Sequence, residues 1–96
     1  MKIELKFEAK QDLADGARFY DRQRPGLGDY FVDCLFSDLA KLEKYAGIHE
    51  TEFGVFRRLS ETFPYAIYYR ITANDISVVA ILDSRQDPAL IAKRFQ

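Results

Sequence analysis

The sequence predicts an α+β fold in which a helical hairpin packs on one face of a four- to five-stranded, mainly antiparallel sheet. Hydrophobic residues alternate at the N-terminus, then recur three or four apart, and then alternate again in the C-terminal half. Pro25-Gly26 interrupts the helical region and divides it into two helices. The predicted order is β-α-α-β-β-β with a short tail helix. Residues 1–96 contain no repeat or linker and are expected to form one domain.

The N-terminal half predicts one strand followed by two helices. Apolar and charged residues alternate over residues 2–8, as in a strand with one wet face. A helix is predicted from about Ala9 to the proline at position 25, because proline disfavours the helical conformation of the residue before it. The second helix is predicted for residues 29–45, and Gly47 closes it. The apolar stripes of the two helices are Ala9, Leu13, Ala17 and Tyr20, and Phe31, Leu35, Leu39 and Leu42.

The C-terminal half predicts a meander of three antiparallel strands. These are residues 55–61, 63–71 and 75–83, joined by short turns, and a short strand at 48–52 precedes them. A tail helix is predicted for residues 88–95, since the Asp-Pro pair at 87–88 fits an N-cap and a first helical position. The predicted core comprises Leu5, Leu13, Phe31, Leu35, Leu39, Ile67, Tyr69, Val78 and Ala80.

Strict alternation assigns the residues of the last strand to two faces. The face toward the helices is expected to carry Ile76, Val78, Ala80 and Leu82. The opposite face then carries Val79 and Ile81 and is more apolar than a solvated face requires.

Composition restricts the possible function classes. The chain has 14 basic and 15 acidic residues, without the basic excess typical of proteins that bind nucleic acid through phosphates. The single cysteine, Cys34, excludes an intramolecular disulfide and favours a reducing, cytoplasmic location. No apolar run is long enough to span a bilayer. One histidine excludes a multi-histidine metal site, and with no glycine-rich phosphate loop we expect no metal and no cofactor.

Four arginines on or just beyond the predicted sheet are the main candidates for chemistry: Arg57, Arg58, Arg70 and Arg85. Adjacent antiparallel strands could bring several together, and guanidinium groups can bind phosphate or stabilise a phosphoryl-transfer transition state. Tyr68 or Tyr69 could stack on a base or assist proton transfer. The structural alternative is that these arginines point to water, pack on the sheet, pair with acids or bond backbone carbonyls.

The other polar residues are predicted to be solvated or structural. His49 is expected in an exposed loop, and Cys34 in the core on the inner half of the second helix. Five aspartates on the helices are expected to be surface charge: Asp12, Asp15, Asp29, Asp33 and Asp38.

Short motifs, taken in order along nearly the whole chain, resemble the RelE/ParE superfamily of bacterial toxins from type II toxin–antitoxin systems. They are Ala9-x-x-Asp12-Leu13, Phe19-Tyr20, Pro25-Gly26-Leu27-Gly28, Phe31, Arg57-Arg58, Phe63-Pro64-Tyr65-x-Ile67-x-Tyr69, Ile76-x-Val78 and Ser84-Arg85-x-x-Pro88. The resemblance implies a small α+β toxin whose first strand lies beside its last. It also implies a cognate antitoxin, encoded beside the toxin, that wraps and neutralises it.

Within the superfamily, the Pro-Gly-Leu-Gly hairpin and the Phe-Pro-Tyr strand are more similar to the ParE-like, plasmid-stabilisation branch. That branch implies DNA gyrase as the target, without catalysis. The RelE-like alternative is a ribosome-dependent mRNA endonuclease, with candidate catalytic residues Arg57, Arg58, Tyr68 and Arg85. A third alternative is an inactive homologue that binds the antitoxin. Asp83 stands where the ParE-like branch often has histidine, and its charge lowers the positive potential beside Arg85.

The apolar sheet face bearing Val79 and Ile81 predicts a docking surface for the antitoxin, as a helix in a groove or an added strand. The predicted target- or antitoxin-binding residues are Arg58, Tyr68, Arg70, Val79, Ile81 and Arg85. The arginines would meet acidic residues of the partner. The alternative is that the tail helix covers this face and the protein is a self-contained monomer.

Overall fold

The computed structural model describes all residues, Met1–Gln96, and confirms the predicted fold. The elements are β1 (Lys2–Leu5), α1 (Phe7–Gln23), α2 (Leu27–Tyr45), β2 (Thr51–Glu52), β3 (Val55–Leu59), β4 (Tyr65–Thr72), β5 (Asp75–Asp83) and α3 (Pro88–Lys93). The sheet order is β1-β5-β4-β3-β2. β1 pairs parallel with β5, as the resemblance implied, and the other strand pairs are antiparallel. None of the helices combines the length and the apolar character needed to cross a bilayer.

Several element boundaries differ from those predicted. β1 ends at Leu5 and α1 begins at Phe7, because the apolar Phe7 that continued the alternation is exposed and already helical. α2 begins at Leu27, directly after the turn. β2 is shorter than predicted, β3 ends before Ser60, and α3 ends at Lys93. The predicted bounds of β5 agree with the structure.

The turn between α1 and α2 explains the Pro-Gly-Leu-Gly motif. Gly26 has a φ of 90°, in the left-handed region that favours glycine. The Asp21 carboxylate accepts hydrogen bonds from the backbone N–H groups of Gly26, at 3.2 Å, and Gly28, at 2.8 Å. A Cβ at Gly28 would lie 2.4 Å from the carbonyl oxygen of Ala17. This glycine therefore allows the two helices to approach closely.

The sheet has a buried core on each face. The helix-side core, between the sheet and α1–α2, comprises Ala9, Leu13, Tyr20, Phe31, Leu35, Leu39, Leu42, Tyr65, Ile67, Tyr69, Ile76, Val78 and Ile81. The tail-side core, beneath α3, comprises Val55, Ala66, Tyr68, Ala80 and Ile91. All predicted core residues are buried except Leu5, which is half-buried against the helix-side core. Ala80 is buried on the face opposite the one predicted.

A β-bulge in β5 explains why the predicted faces of this strand are wrong. Tyr68 pairs with Ala80 but Tyr69 pairs with Val78, so Val79 has no partner in β4. A bulge of this kind reverses the alternation of side chains beyond it. Ile81 therefore joins the helix-side core, while Ala80 and Val79 lie on the tail side.

The tail helix covers the face that was expected to be open. Ile91 of α3 is buried there, and the Phe95 ring packs 5.0 Å from that of Tyr68. Arg94 donates to both carboxylate oxygens of Asp12, at 2.9 and 2.7 Å. Asp12 also accepts the N–H of Ile81 at 3.0 Å. Ile81 lies in the part of β5 beyond Val78, which is the last residue of this strand that pairs with β1. The prediction that Asp12 is surface charge is therefore wrong.

Candidate functional site

The four candidate arginines differ in whether their charge is already paired. Arg57 lies 3.4 Å from Glu52, Arg58 lies 3.0 Å from Asp38, and Arg85 lies 2.8 Å from Asp83. These distances join a guanidinium nitrogen to a carboxylate oxygen. Arg70, exposed at the end of β4, has no acidic side chain within ion-pair distance. Each paired arginine uses a different acid, so the structure does not assemble them around one common centre.

The ion pair between Arg58 and Asp38 is buried between β3 and α2. Side-chain exposure is 11% for Arg58 and 3% for Asp38. Asp38 also accepts hydrogen bonds from the Ser60 hydroxyl, at 2.5 Å, and the Glu61 N–H, at 3.3 Å. The prediction that Asp38 is surface charge is wrong, and Arg58 is not presented to a partner as expected. Position 38 lies three residues after Leu35 and seven after the phenylalanine at position 31, a spacing that placed it on the buried stripe.

Arg57 and Tyr68 are neighbours on the tail side of the sheet. Their Cα atoms are paired across β3 and β4, and Arg57 Nε donates to the Tyr68 hydroxyl at 3.3 Å. The Tyr68 side chain is only 1% exposed because the tail-side core and Phe95 cover it. In this conformation Tyr68 cannot stack on an external base, so its predicted contact with a partner is corrected.

The part of the tail side that remains open lies around Arg70 and Val79. A shallow cavity of about 470 Å³ is lined there by Glu8, Arg70, Val79, Arg94, Phe95 and Gln96. Val79 is half-buried, whereas Ile81 is 1% exposed and faces α1 and α2. The expectation that Val79 and Ile81 form one uncovered apolar groove is therefore wrong. Arg70 and Val79 remain accessible.

Arg85 lies beyond the end of β5 and is held by Asp83. The Arg85 side chain is 62% exposed, and its hydrogen bonds keep the pKa of Asp83 below its ordinary value. Burial raises the pKa of nearby Tyr65 to about 12 and also raises that of Tyr20. The Tyr20 hydroxyl is buried and has no hydrogen-bond partner.

His49 takes part in a contact that the sequence did not indicate. Its Nδ1 lies 2.5 Å from the Tyr69 hydroxyl, which also accepts the N–H of Gly47 at 3.0 Å. Burial, together with the positive charge of Arg58, lowers the pKa of His49. The predicted exposed loop histidine is thus half-buried, and Cys34 is half-buried rather than fully in the core. The His49 ring borders an open cleft of about 520 Å³ lined by residues 48–52 and 57–59.

The contacts of these side chains limit which ligands the surface can bind. No group of three or more His, Cys, Asp or Glu side chains is placed to hold a metal ion. Because Arg57, Arg58 and Arg85 are each paired with an acid, the sheet presents no cluster of free basic side chains. Of the residues predicted to bind the target or the antitoxin, Arg70, Val79 and Arg85 remain accessible.

Comparison with known proteins identifies a family and a fold. A model of the ParE toxin of the type II toxin–antitoxin system parDE matches residues 3–88. No curated protein sequence matches the chain. A solved structure described as the chromosomal ParDE TA system from P. aeruginosa superposes with a TM-score of 0.79 at 19% identity. The match covers 86% of this chain and 95% of that chain, and at this identity it shows the shared fold alone.

Proposed function

The chain belongs to the family of ParE toxins of type II toxin–antitoxin systems, and from this premise we propose that it inhibits DNA gyrase by binding. We propose further that a cognate antitoxin neutralises it by covering its target-binding surface. Catalysis has no part in this proposal, because binding alone can hold an enzyme in an inactive or trapped state.

The observation that carries the choice of target is the internal pairing of the arginines. An mRNA endonuclease needs basic side chains to neutralise the phosphates around the scissile bond. Here Arg57, Arg58 and Arg85 are each held by an acid, and the chain has a net charge of −1. Binding RNA would require ion pairs to break before phosphates could be contacted. A protein target can also be bound through apolar and aromatic side chains, and these contacts need no ion pair to break.

We propose that Arg70, Val79 and Arg85 make the contacts with partners. Arg70 is unpaired and lies beside Val79 in an open cavity, which suits an acidic antitoxin side chain flanked by an apolar one. Arg85 is well exposed at the other end of the strand pair, beyond β5. Arg58, Tyr68 and Ile81 are buried and do not enter this proposal.

The target is tested by adding the purified chain to DNA gyrase and measuring the supercoiling of relaxed plasmid. We expect wild-type protein to inhibit supercoiling or to trap cleaved DNA, and Arg85→Ala to weaken this by at least several-fold. Arg22→Ala is the matched control, because Arg22 is an exposed arginine of α1 without an acidic partner. mRNA cleavage on ribosomes that disappears in Arg85→Ala, with no effect on gyrase, would replace this proposal with the endonuclease.

The antitoxin proposal is tested by co-expression with the product of the adjacent reading frame. We expect a stable complex whose affinity, measured by calorimetry, falls at least tenfold in Arg70→Glu. The same charge reversal at Arg22 should leave the affinity unchanged. Equal losses in the two variants would show that overall charge, and not the cavity at Arg70 and Val79, governs binding.

A further inference from the structure

Asp83 occupies one edge of the Arg85 guanidinium with a two-point contact. Arg85 Nε donates to Asp83 Oδ1 at 3.1 Å, and Nη2 donates to Oδ2 at 2.8 Å. The backbone N–H of Arg85 also donates to Oδ1, at 2.8 Å. A carboxylate binds guanidinium most specifically by such parallel hydrogen bonds. The Nε–Nη2 edge is therefore filled by a residue only two positions away, and an external carboxylate must compete for it.

The surroundings of this pair contain residue types that are common in protein interfaces. Tyr65 pairs with Asp83 across β4 and β5, and the Tyr20 ring lies 6.2 Å from that of Tyr65. The Tyr20 ring also packs edge-on against Phe19 and Phe63, with centroids 5.1 and 4.8 Å apart. Tyr30 also packs on Phe63, and Phe19 and Tyr30 are exposed. Exposed aromatic side chains beside an arginine are the residue types that dominate binding energy between proteins. The Asp83 carboxylate repels any incoming anion, a carboxylate as well as a phosphate, whereas contacts with these aromatic rings do not depend on charge.

We infer that Asp83 is a specificity-determining residue that masks Arg85 from acidic side chains of a protein partner. For gyrase, this inference rests on the proposed function. A partner's carboxylate must displace Asp83 to use the Nε–Nη2 edge, and at the remaining N–H donors its attraction to Arg85 is weakened by the Asp83 charge. Asp83 thus lowers the affinity for partners that contact Arg85 alone and favours those that also engage the aromatic rings.

The test is a double-mutant cycle in the gyrase supercoiling assay. Asp83→Asn removes the competing charge, and we expect the half-inhibitory concentration to fall about three- to tenfold, a typical size for one charge-assisted contact. In the Arg85→Ala background the same change should have no effect, since nothing remains to unmask. Asp75→Asn, at the exposed start of the same strand, is the control for net charge. An equal gain in Asp75→Asn or in the Arg85→Ala background, or no gain from Asp83→Asn, would overturn the inference.

A second measurement separates masking from the choice of target. In ¹⁵N-labelled protein, the Arg85 Nε–H resonance should exchange slowly with water in the wild type and rapidly in Asp83→Asn. Unchanged exchange would refute the internal contact and with it the inference. If exchange changes as expected but the wild type has no effect on gyrase, the proposed target alone fails. The affinity of Asp83→Asn for the antitoxin then tests whether Asp83 masks Arg85. Tighter binding than that of the wild type supports the masking, and equal or weaker binding overturns it.

Discussion

Replacing Asp38 with alanine is expected to be among the most destabilising single changes in this protein. The substitution leaves the Arg58 guanidinium, 11% exposed, without its counter-charge beneath α2. It also removes the acceptor of the Ser60 hydroxyl and the Glu61 N–H. Removing one partner of a buried ion pair costs about 3–5 kcal/mol, because the remaining charge stays desolvated. That is a large share of the roughly 5–15 kcal/mol by which a native domain is stable.

The assay is urea unfolding followed by far-UV circular dichroism, with the free energy of unfolding obtained by linear extrapolation. Asp33→Ala, an exposed aspartate of the same helix, is the matched control and should change stability by less than about 0.5 kcal/mol. Replacing both partners, as Asp38→Leu with Arg58→Met, should recover the part of the loss that comes from the desolvated charge, while the Ser60 hydroxyl and the Glu61 N–H still lack their acceptor. A loss of under about 1 kcal/mol in Asp38→Ala, similar to that in Asp33→Ala, would show that the Asp38 carboxylate is solvated and that the ion pair is not buried.

Three further predictions concern the hairpin, the histidine and the tail. Gly28→Ala should lower the free energy of unfolding, measured by thermal denaturation, by about 1–3 kcal/mol, because the added Cβ would lie 2.4 Å from the Ala17 carbonyl oxygen. An unchanged melting temperature would contradict the close approach of the two helices. Because the pKa of His49 is lowered on folding, the unfolded chain takes up the proton more readily. The free energy of unfolding should therefore fall as pH drops from about 6.5 toward the folded-state pKa of His49, by at most about 1.4 kcal/mol per pH unit. An identical slope in His49→Gln would show that the pH dependence comes from other groups. Arg94→Ala should break the contact with Asp12 and speed amide hydrogen exchange in α3 but not in α2; equal protection of α3 in both proteins would show that the contact does not hold the tail.

The order of elements could be predicted because their hydrophobic periods are strong. The stripe from Phe31 to Leu42 follows helical spacing without interruption, and the Pro-Gly pair at 25–26 marks the hairpin. The bounds of β5 were predicted correctly because polar turn residues flank it. The boundary between β1 and α1 was misplaced because the exposed Phe7 continues the alternation of apolar residues although it already belongs to α1.

The faces of β5 could not be predicted because Val78 to Leu82 are five consecutive apolar residues. Such a run contains no polar residue to mark which side is wet, so a bulge within it leaves no trace in the pattern. The bulge at Val79 depends on the pairing with Tyr68 and Tyr69, which is settled by packing on both sides of the sheet. The missed bulge explains why Val79 and Ile81 were wrongly placed on one face, and the tail helix covers part of the face on which Val79 lies.

The strands that carry the candidate arginines could be predicted, but the acids that neutralise three of them could not. Arg58 and Asp38 are far apart in sequence, and nothing local indicates that they meet. The spacing of Asp38 within the buried stripe was the available signal, because a carboxylate on such a stripe requires a partner. For Asp83 and Arg85, two residues apart, only the direction of the backbone after β5 decides the contact.

We propose that this ParE-family chain acts on gyrase by binding and does not cut RNA. The decisive experiment is plasmid supercoiling by purified gyrase, titrated with the wild-type chain in parallel with a ribosome-bound mRNA cleavage assay. We predict dose-dependent loss of supercoiling, or accumulation of cleaved plasmid, at concentrations that leave mRNA intact. Full supercoiling activity at saturating protein, together with mRNA fragments on ribosomes, would contradict the claim.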